Sequence, residues 1–154
     1  MDIWSPRLRG ARFLDLFAGC GAVGIEAVSR GAASLVLVDA EAHVIRQLNE
    51  TCRALDLQEA QVQAARLPGD LSRSLPNLSG EFDLIFADPP YAFDEYGELL
   101  EAAAGWLAPT GEIVVEHESR RQVPELCHGL LRVDQRRYGD SSLSFYQREP
   151  ETQD

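Results

Sequence analysis

The sequence predicts an α/β fold: one doubly wound, mainly parallel sheet of about seven strands, closed by a C-terminal antiparallel hairpin. Three observations carry that prediction. Short apolar runs alternate with helically spaced segments from residue 12 to residue 117. The runs are apolar along their length, as strands covered on both faces must be. After residue 130 two strand-like stretches are separated only by Gly139-Asp140, which suits a hairpin and is too short for a crossover.

In order, "RFLDLF" (12–17) is the first strand, "AVGIEAVSRG" (22–31) a helix ending on glycine, and "SLVLVD" (34–39) a β-branched second strand. "AEAHVIRQLNETCRAL" (40–55) sets Val44, Leu48, Cys52 and Leu55 on one helical stripe, with Asp39 as the expected N-cap. "AQVQAA" (60–65) is a weak third strand, "PGDLSRSL" (68–75) a short helix or turn, and "FDLIFAD" (82–88) a buried fourth strand. "EYGELLEAAAGWL" (95–107) is helical, with Asp94 and Glu95 as expected caps. A turn at Pro109-Thr110-Gly111 leads into "GEIVVEH" (111–117), the fifth strand. "LLRVDQRRYG" and "SSLSFYQR" form the hairpin. The expected division is one domain over residues 1–148 and a polar tail over 149–154. Trp4, Phe13 and Trp106 are expected to pack in the core.

At 154 residues and 45% hydrophobic content, the chain has the material for one well-packed core. No apolar run approaches the roughly 18 residues of a membrane span, and residues 1–10 lack the apolar stretch of a secretory signal. A cytoplasmic protein without membrane contact is expected. Three widely spaced cysteines (Cys20, Cys52, Cys127) and three scattered histidines indicate neither a disulfide framework nor a metal site. A formal net charge of -11 argues, by itself, against a polyanionic partner. All the basic residues are arginines, however, and they gather at Arg7, Arg9 and Arg12, at Arg120 and Arg121, and at Arg132, Arg136 and Arg137. Local basic patches on an acidic protein are one reading, and solvated surface arginines the other.

"DLFAGCGAVG" (15–24) places Gly19, Gly21 and Gly24 as G-x-G-x-x-G between a strand and a helix, with Asp39 ending the next strand. Such a loop brings backbone close to a ligand, and the second carboxylate can accept hydrogen bonds from ribose hydroxyls. Asp15, at the tip of the strand, would repel a pyrophosphate and attract an ammonium group. S-adenosylmethionine carries an ammonium and a ribose and no phosphate. The alternative is that the glycines serve helix-to-strand packing alone.

"IFADPPYAF" (85–93) ends a buried strand on Asp88 and then fixes two successive φ angles. Two prolines also remove two N–H donors, so the loop presents acceptors. In a doubly wound sheet, ligands bind beyond the carboxyl ends of strands at the switch point, which strands one and four flank. The Asp88 carboxylate and Pro89 carbonyl could hold both hydrogens of an exocyclic amine and favour its pyramidal, nucleophilic form, while Tyr91 stacks on the base. The alternative makes "DPPY" a rigid chain reversal with Tyr91 in the core.

With these residues in place, the chain resembles the bacterial 16S rRNA guanine-N2 methyltransferases of the RsmD type, within the class I S-adenosylmethionine-dependent, Rossmann-like fold. The similarity runs from "LRGARFLDLFAGCGAVGIEAVSRGA" through "DPPY" and "IVVEHE" to "YGDSSLSFYQRE". The resemblance implies that Asp15, Gly19 and Gly21 line the methionine end of the cofactor, with Phe17, Ala18 and Gly24 completing the loop. Asp39 would hold the ribose, with Ala40 beside it in the cofactor site, and backbone amides around Ala65 and Arg66 would meet the adenine. Asp88, Pro89, Pro90 and Tyr91 would hold the guanine amine. Glu116 matches "VVEH", with a solvated or hairpin-pairing role as the alternative to a catalytic one. Family members begin with a basic segment carrying an "RPT" element, so a truncated or wrongly started chain is expected here. Cys20 stands where serine is common.

The expected function is methyl transfer from S-adenosylmethionine to the N2 amine of a guanine in ribosomal RNA, within the small ribosomal subunit, by a monomer rather than an oligomer. The target base would be accessible or flipped from its stack. Rival readings are a methyltransferase acting on adenine N6 or a protein amide, an NAD-dependent dehydrogenase, and a non-catalytic RNA-associated module.

Overall fold

The computed structural model describes residues 2–71 and 81–151; the carboxyl half of the expected "PGDLSRSL" element lies outside the described residues. A 3-10 turn (Asp2–Trp4) and a single-turn α1 (Ser5–Leu8) precede β1 (Arg12–Leu16), α2 (Ala22–Ser29), β2 (Ser34–Asp39), α3 (Ala42–Ala54) and β3 (Ala60–Ala64). There follow β4 (Phe82–Ala87), α4 (Tyr96–Ala104), β5 (Leu107–Glu118), β6 (Leu126–Cys127), β7 (Leu130–Tyr138) and β8 (Ser141–Arg148).

The described strands form one eight-stranded sheet in the order β3-β2-β1-β4-β5-β8-β7-β6. The pairs from β3 to β5 are parallel, and β8 enters antiparallel between β5 and β7. This agrees with the expected doubly wound sheet and terminal hairpin. The eighth strand is β6, two residues paired with the outer end of β7, a short edge strand that offers little for another chain to pair with.

Alternation within the strands sorts side chains onto two cores. Leu14, Leu16, Ile85, Ala87, Ile113, Val115 and Tyr146 pack under α4 against Leu99, Leu100 and Ala103. Phe13, Leu35, Leu37, Leu84, Phe86, Val114 and Phe145 pack on the opposite face against Ala27, Leu48 and the amino-terminal Trp4 and Leu8. Phe13 and Trp4 are buried as expected, and Trp106 is half-buried with its indole N–H on the Leu71 carbonyl at 2.8 Å.

Several local expectations are corrected. Helix α3 begins at Ala42 with Glu41 in the N-cap position; Asp39 is still the last residue of β2 and accepts from the Glu41 N–H at 3.1 Å without capping the helix. Leu55 leaves the apolar stripe because the helix ends before it: it is 54% exposed, and the chain reverses at Asp56 with φ of 54°. Glu95 takes the N-cap position of α4 but makes no side-chain cap bond. Pro109-Thr110-Gly111 is not a turn before the strand but lies within β5, where the register against β4 shifts between the pairs Phe82↔Leu107 and Leu84↔Glu112. A bulge there absorbs the extra residues and leaves the strand unbroken.

Candidate active site

Parallel register brings the carboxyl ends of the central strands level: Leu16 pairs with Val38 on one side and with Ala87 on the other. The loop after β1 and the loop after β4 therefore leave the same edge as neighbours. They touch directly, with the Phe17 and Phe93 rings edge-to-face at 5.4 Å and Phe93 in turn 5.2 Å from Tyr96. Phe17 holds a φ of 58°, a left-handed conformation uncommon for an aromatic residue and costly unless its surroundings enforce it.

The glycine loop is built around two carboxylates. Asp39 Oδ2 accepts from the Gly19 N–H at 3.0 Å, so the acid at the end of β2 fixes the bend of the loop after β1. The Ala18 N–H donates to the Val38 carbonyl at 2.9 Å. Each Asp39 oxygen keeps a second acceptor site for a hydroxyl donor. Asp15 is 2% exposed, and its Oδ2 accepts from the Gly24 N–H at 3.1 Å. A Cβ at Gly24 would sit 2.7 Å from Leu35 Cδ1 and 2.8 Å from Leu37 Cδ2, so glycine lets α2 lie against the sheet. At Gly21, φ is 81° and a Cβ would meet Leu48 at 2.8 Å. Packing and loop geometry thus coexist in one motif.

Asp15, Asp39 and Asp88 share an electrostatic neighbourhood. Burial, followed by the charges of Asp88 and Asp39 and opposed by the Gly24 N–H, pushes the Asp15 carboxyl up to about 8. Asp88 is an exposed residue whose carboxyl is partly withdrawn from water beside Glu116; that withdrawal, then the charge of Glu116 and a hydrogen bond with it, push Asp88 up to about 7. Glu116 follows the residue paired with Ala87, and its Oε1 accepts from the Ser141 hydroxyl at 3.2 Å on the hairpin. The hairpin-pairing role is therefore present, and so is contact with Asp88. The alternation of "IFAD" and "VVEHE" carried that signal, since Phe86 and Val114 already face the same core.

Pro89 is buried, and its carbonyl takes no donor from the described residues. Tyr91 is 72% exposed, which overturns the core alternative. Its hydroxyl accepts from Arg120 Nη2 at 2.9 Å, and Arg120 Nε donates to Glu118 Oε2 at 3.2 Å, so the ring is tethered at its rim while the side chain stays largely exposed. The sequence offered no sign of this tether, because Arg120 reaches Tyr91 only through the adjacency of β4 and β5. After β3, both expected adenine-binding amides are occupied within the protein: the Ala65 N–H donates to the Asp39 carbonyl at 3.0 Å, and the Arg66 N–H to Asp70 Oδ2 at 2.8 Å. The first extends the β2–β3 ladder by one bond and the second closes a turn, so neither donor is free for a base in this conformation.

The next residue of β5, His117, is buried and structural. Its Nδ1 lies 2.8 Å from the Glu118 carbonyl and its Nε2 2.7 Å from the Ser144 hydroxyl, which also accepts from Gln135. A proton on Nδ1 satisfies all three contacts, and burial lowers the ring's proton affinity accordingly.

A family model described as "Conserved hypothetical protein 95" matches residues 1–147. "Putative rRNA methyltransferase YlbH" of Bacillus subtilis is 33% identical over 146 residues, 93% of this chain and 79% of that protein. "Ribosomal RNA small subunit methyltransferase D" of Escherichia coli K12 is 31% identical over 148 residues, 94% of this chain and 72% of that one. The solved structure titled "Putative methyltransferase yhhF from Escherichia coli" matches with a TM-score of 0.80 at 29% identity, over 97% of this chain and 82% of that chain. The motif-based resemblance and the fold class agree with all of these.

Proposed function

This chain belongs to the Conserved hypothetical protein 95 family, and from that premise we propose that it transfers a methyl group from S-adenosylmethionine to the exocyclic N2 amine of a guanine in 16S rRNA. That it is a methyltransferase rests on relatives aligned over nearly its whole length. The finer reading rests on one observation: the Asp88 carboxyl and a Pro89 carbonyl that takes no donor from the described residues directly follow β4 beside the glycine loop, across the Phe17–Phe93 contact.

The cleft suits the cofactor by its charge. Asp39 and Asp88 lie close enough to Asp15 to raise its proton affinity, so a cation arriving there would favour its ionised form, whereas the pyrophosphate of a dinucleotide would be repelled. Asp15 and the loop from Phe17 through Gly19 and Gly21 would hold the methionine end, and Asp39 with Ala40 the ribose. When bound, the cofactor supplies an electrophilic methyl group on a positively charged sulfur. Asp88 and the Pro89 carbonyl accept the two amine hydrogens and aim the nitrogen lone pair, and Tyr91 offers a ring face to the base. Asp88 then stands ready to take the proton the amine loses on methylation.

The test is to incubate small ribosomal subunits from a strain lacking this protein with methyl-labelled cofactor and map the label. Label on the N2 of one guanine, reduced about 10²–10³-fold by Asp88→Ala, supports the reading. Label on an adenine, on protein only, or nowhere would sink it.

A further inference from the structure

Beside Tyr91 the structure holds a cavity of about 280 Å³ lined by Tyr91, Glu118, Ser119, Arg120, Arg137 and Asp140. A wider hollow of about 600 Å³ adjoins it, sharing Tyr91, Glu118 and Arg120 and adding Ala92 and Arg121. We propose that these joined hollows form a phosphodiester subsite, in which Arg120, Arg121 and Arg137 hold the RNA backbone flanking the target nucleotide. This rests on the methyltransferase reading above and extends it to the substrate strand.

Not every arginine of the chain is open to an anion. Arg7, Arg12, Arg30, Arg132 and Arg136 are each within salt-bridge distance of a carboxylate: Glu112, Asp83, Glu26, Glu125 and Asp134. Among the described residues neither Arg121 nor Arg137 has such a partner. Arg137 Nε donates to the Gly139 carbonyl at 2.8 Å, leaving the outer edge of its guanidinium uncommitted. Arg121 lies 6.0 Å from the centre of the Tyr96 ring, and its Nε is buried with no acceptor. Arg120, with a side chain 79% exposed, ties the Tyr91 hydroxyl and Glu118 together at the shared wall.

The floor is rigid. The Ser119 N–H donates to the Asp140 carbonyl at 2.7 Å, and the Ser119 hydroxyl meets the Gly139 carbonyl and the Ser142 hydroxyl, each at 2.8 Å. The end of β5 is thereby fixed to the β7–β8 turn, and both present arginines toward one space. Glu118 and Asp140 oppose them, Glu118 pairing with Arg120 through Oε2 while its Oε1 is buried without a partner among the described residues. Three guanidiniums against two carboxylates leave this corner positive in a chain of net charge -11. A base lying on the exposed Tyr91 ring would carry its own backbone along this wall. Planar, bidentate guanidinium forks match phosphodiester oxygens.

The experiment measures binding of a fluorescein-labelled single-stranded RNA by anisotropy across a salt series, with wild-type, Arg121→Ala, Arg137→Ala and Arg137→Lys chains. Calorimetric binding of S-adenosylhomocysteine and the thermal midpoint are followed in parallel. Each alanine variant is expected to weaken RNA binding about five- to tenfold and to make the plot of log K against log salt shallower by about 0.7 for each lost phosphate contact. Arg137→Lys should recover the slope but only part of the affinity. Wild-type affinity and slope in both alanine variants overturn the subsite. If the wild-type chain also binds the cofactor product and methylates ribosomal subunits, the proposed function survives that result. RNA binding that depends on these arginines, in a chain that neither binds the product nor methylates, upholds the subsite and removes the function.

Discussion

Asp88 and Asp15 carry opposite demands on the same property. Asp88 must be ionised to accept amine hydrogens, and in the free protein it ionises near 7. The rate constant kcat/KM is therefore expected to rise with pH through that region. Glu116→Gln removes the neighbouring negative charge, so the rising limb should move to lower pH; a profile unchanged by that substitution would show that Asp88 is not the group being titrated. Asp15 holds its proton to about 8 when folded, whereas an unfolded aspartate ionises near 3.8. The folded state thus binds more protons between those values, and its contribution to stability, complete below about 4, is lost as pH rises through about 8. Asp15→Asn should raise the cofactor-free thermal midpoint at pH 8, leave it nearly unchanged at pH 4, and weaken cofactor binding. Equal midpoints for the two proteins at pH 8 would contradict this account.

The elements place these groups by contact between backbone and sheet. Helix α2 reaches the sheet only because Gly24 has no side chain between it and Leu35 and Leu37. Gly24→Ala should cost about 1–3 kcal/mol in a denaturant titration, since both neighbours are buried core residues with little room to yield. It should also loosen cofactor binding, because the Gly24 N–H is the donor on Asp15. Strand β5 does two tasks along its length. Near its start, Glu112 accepts from the Trp4 indole at 2.7 Å and from Gln147 at 2.7 Å, fastening the amino-terminal turn to the sheet. Near its end, Glu116 and Glu118 stand beside the clamp loop.

Across the whole molecule, two cores flank one sheet. The core on the α2 and α3 side depends on Trp4, which is 1% exposed and meets Phe13 and Phe86 edge-to-face at 5.4 and 6.4 Å. Trp4→Ala should remove about 3–5 kcal/mol of stability while leaving Asp88 and Tyr91 in place. The expected signature is a lowered thermal midpoint with near-normal methyl transfer at low temperature. A selective loss of activity with an unchanged midpoint would mean that this segment acts at the site. The chain is acidic overall, and among the described residues Arg7, Arg12, Arg30, Arg120, Arg132 and Arg136 are paired with carboxylates. The proposed RNA contact falls at the hairpin end of the sheet, where Arg121 and Arg137 line joined hollows without a carboxylate pair among the described residues.

Much was legible in the residues alone. Apolar runs without a two-residue period identified strands buried on both faces, and the glycine spacing with Asp15 and Asp39 placed a loop at the end of β1, because these are local consequences of side-chain type. Asp88 with two prolines marked the end of β4 for the same reason. Tertiary structure decided what depends on neighbours distant in sequence: that Glu116 raises the proton affinity of Asp88, that Arg120 tethers Tyr91, and that Gly24 serves packing and Asp15 together. It also decided that the Ala65 and Arg66 amides are already bonded, and that Pro109 to Gly111 continue a strand as a bulge. Strand register and hydrogen-bond partners arise from pairing between separate segments, and no single stretch of chain contains that information.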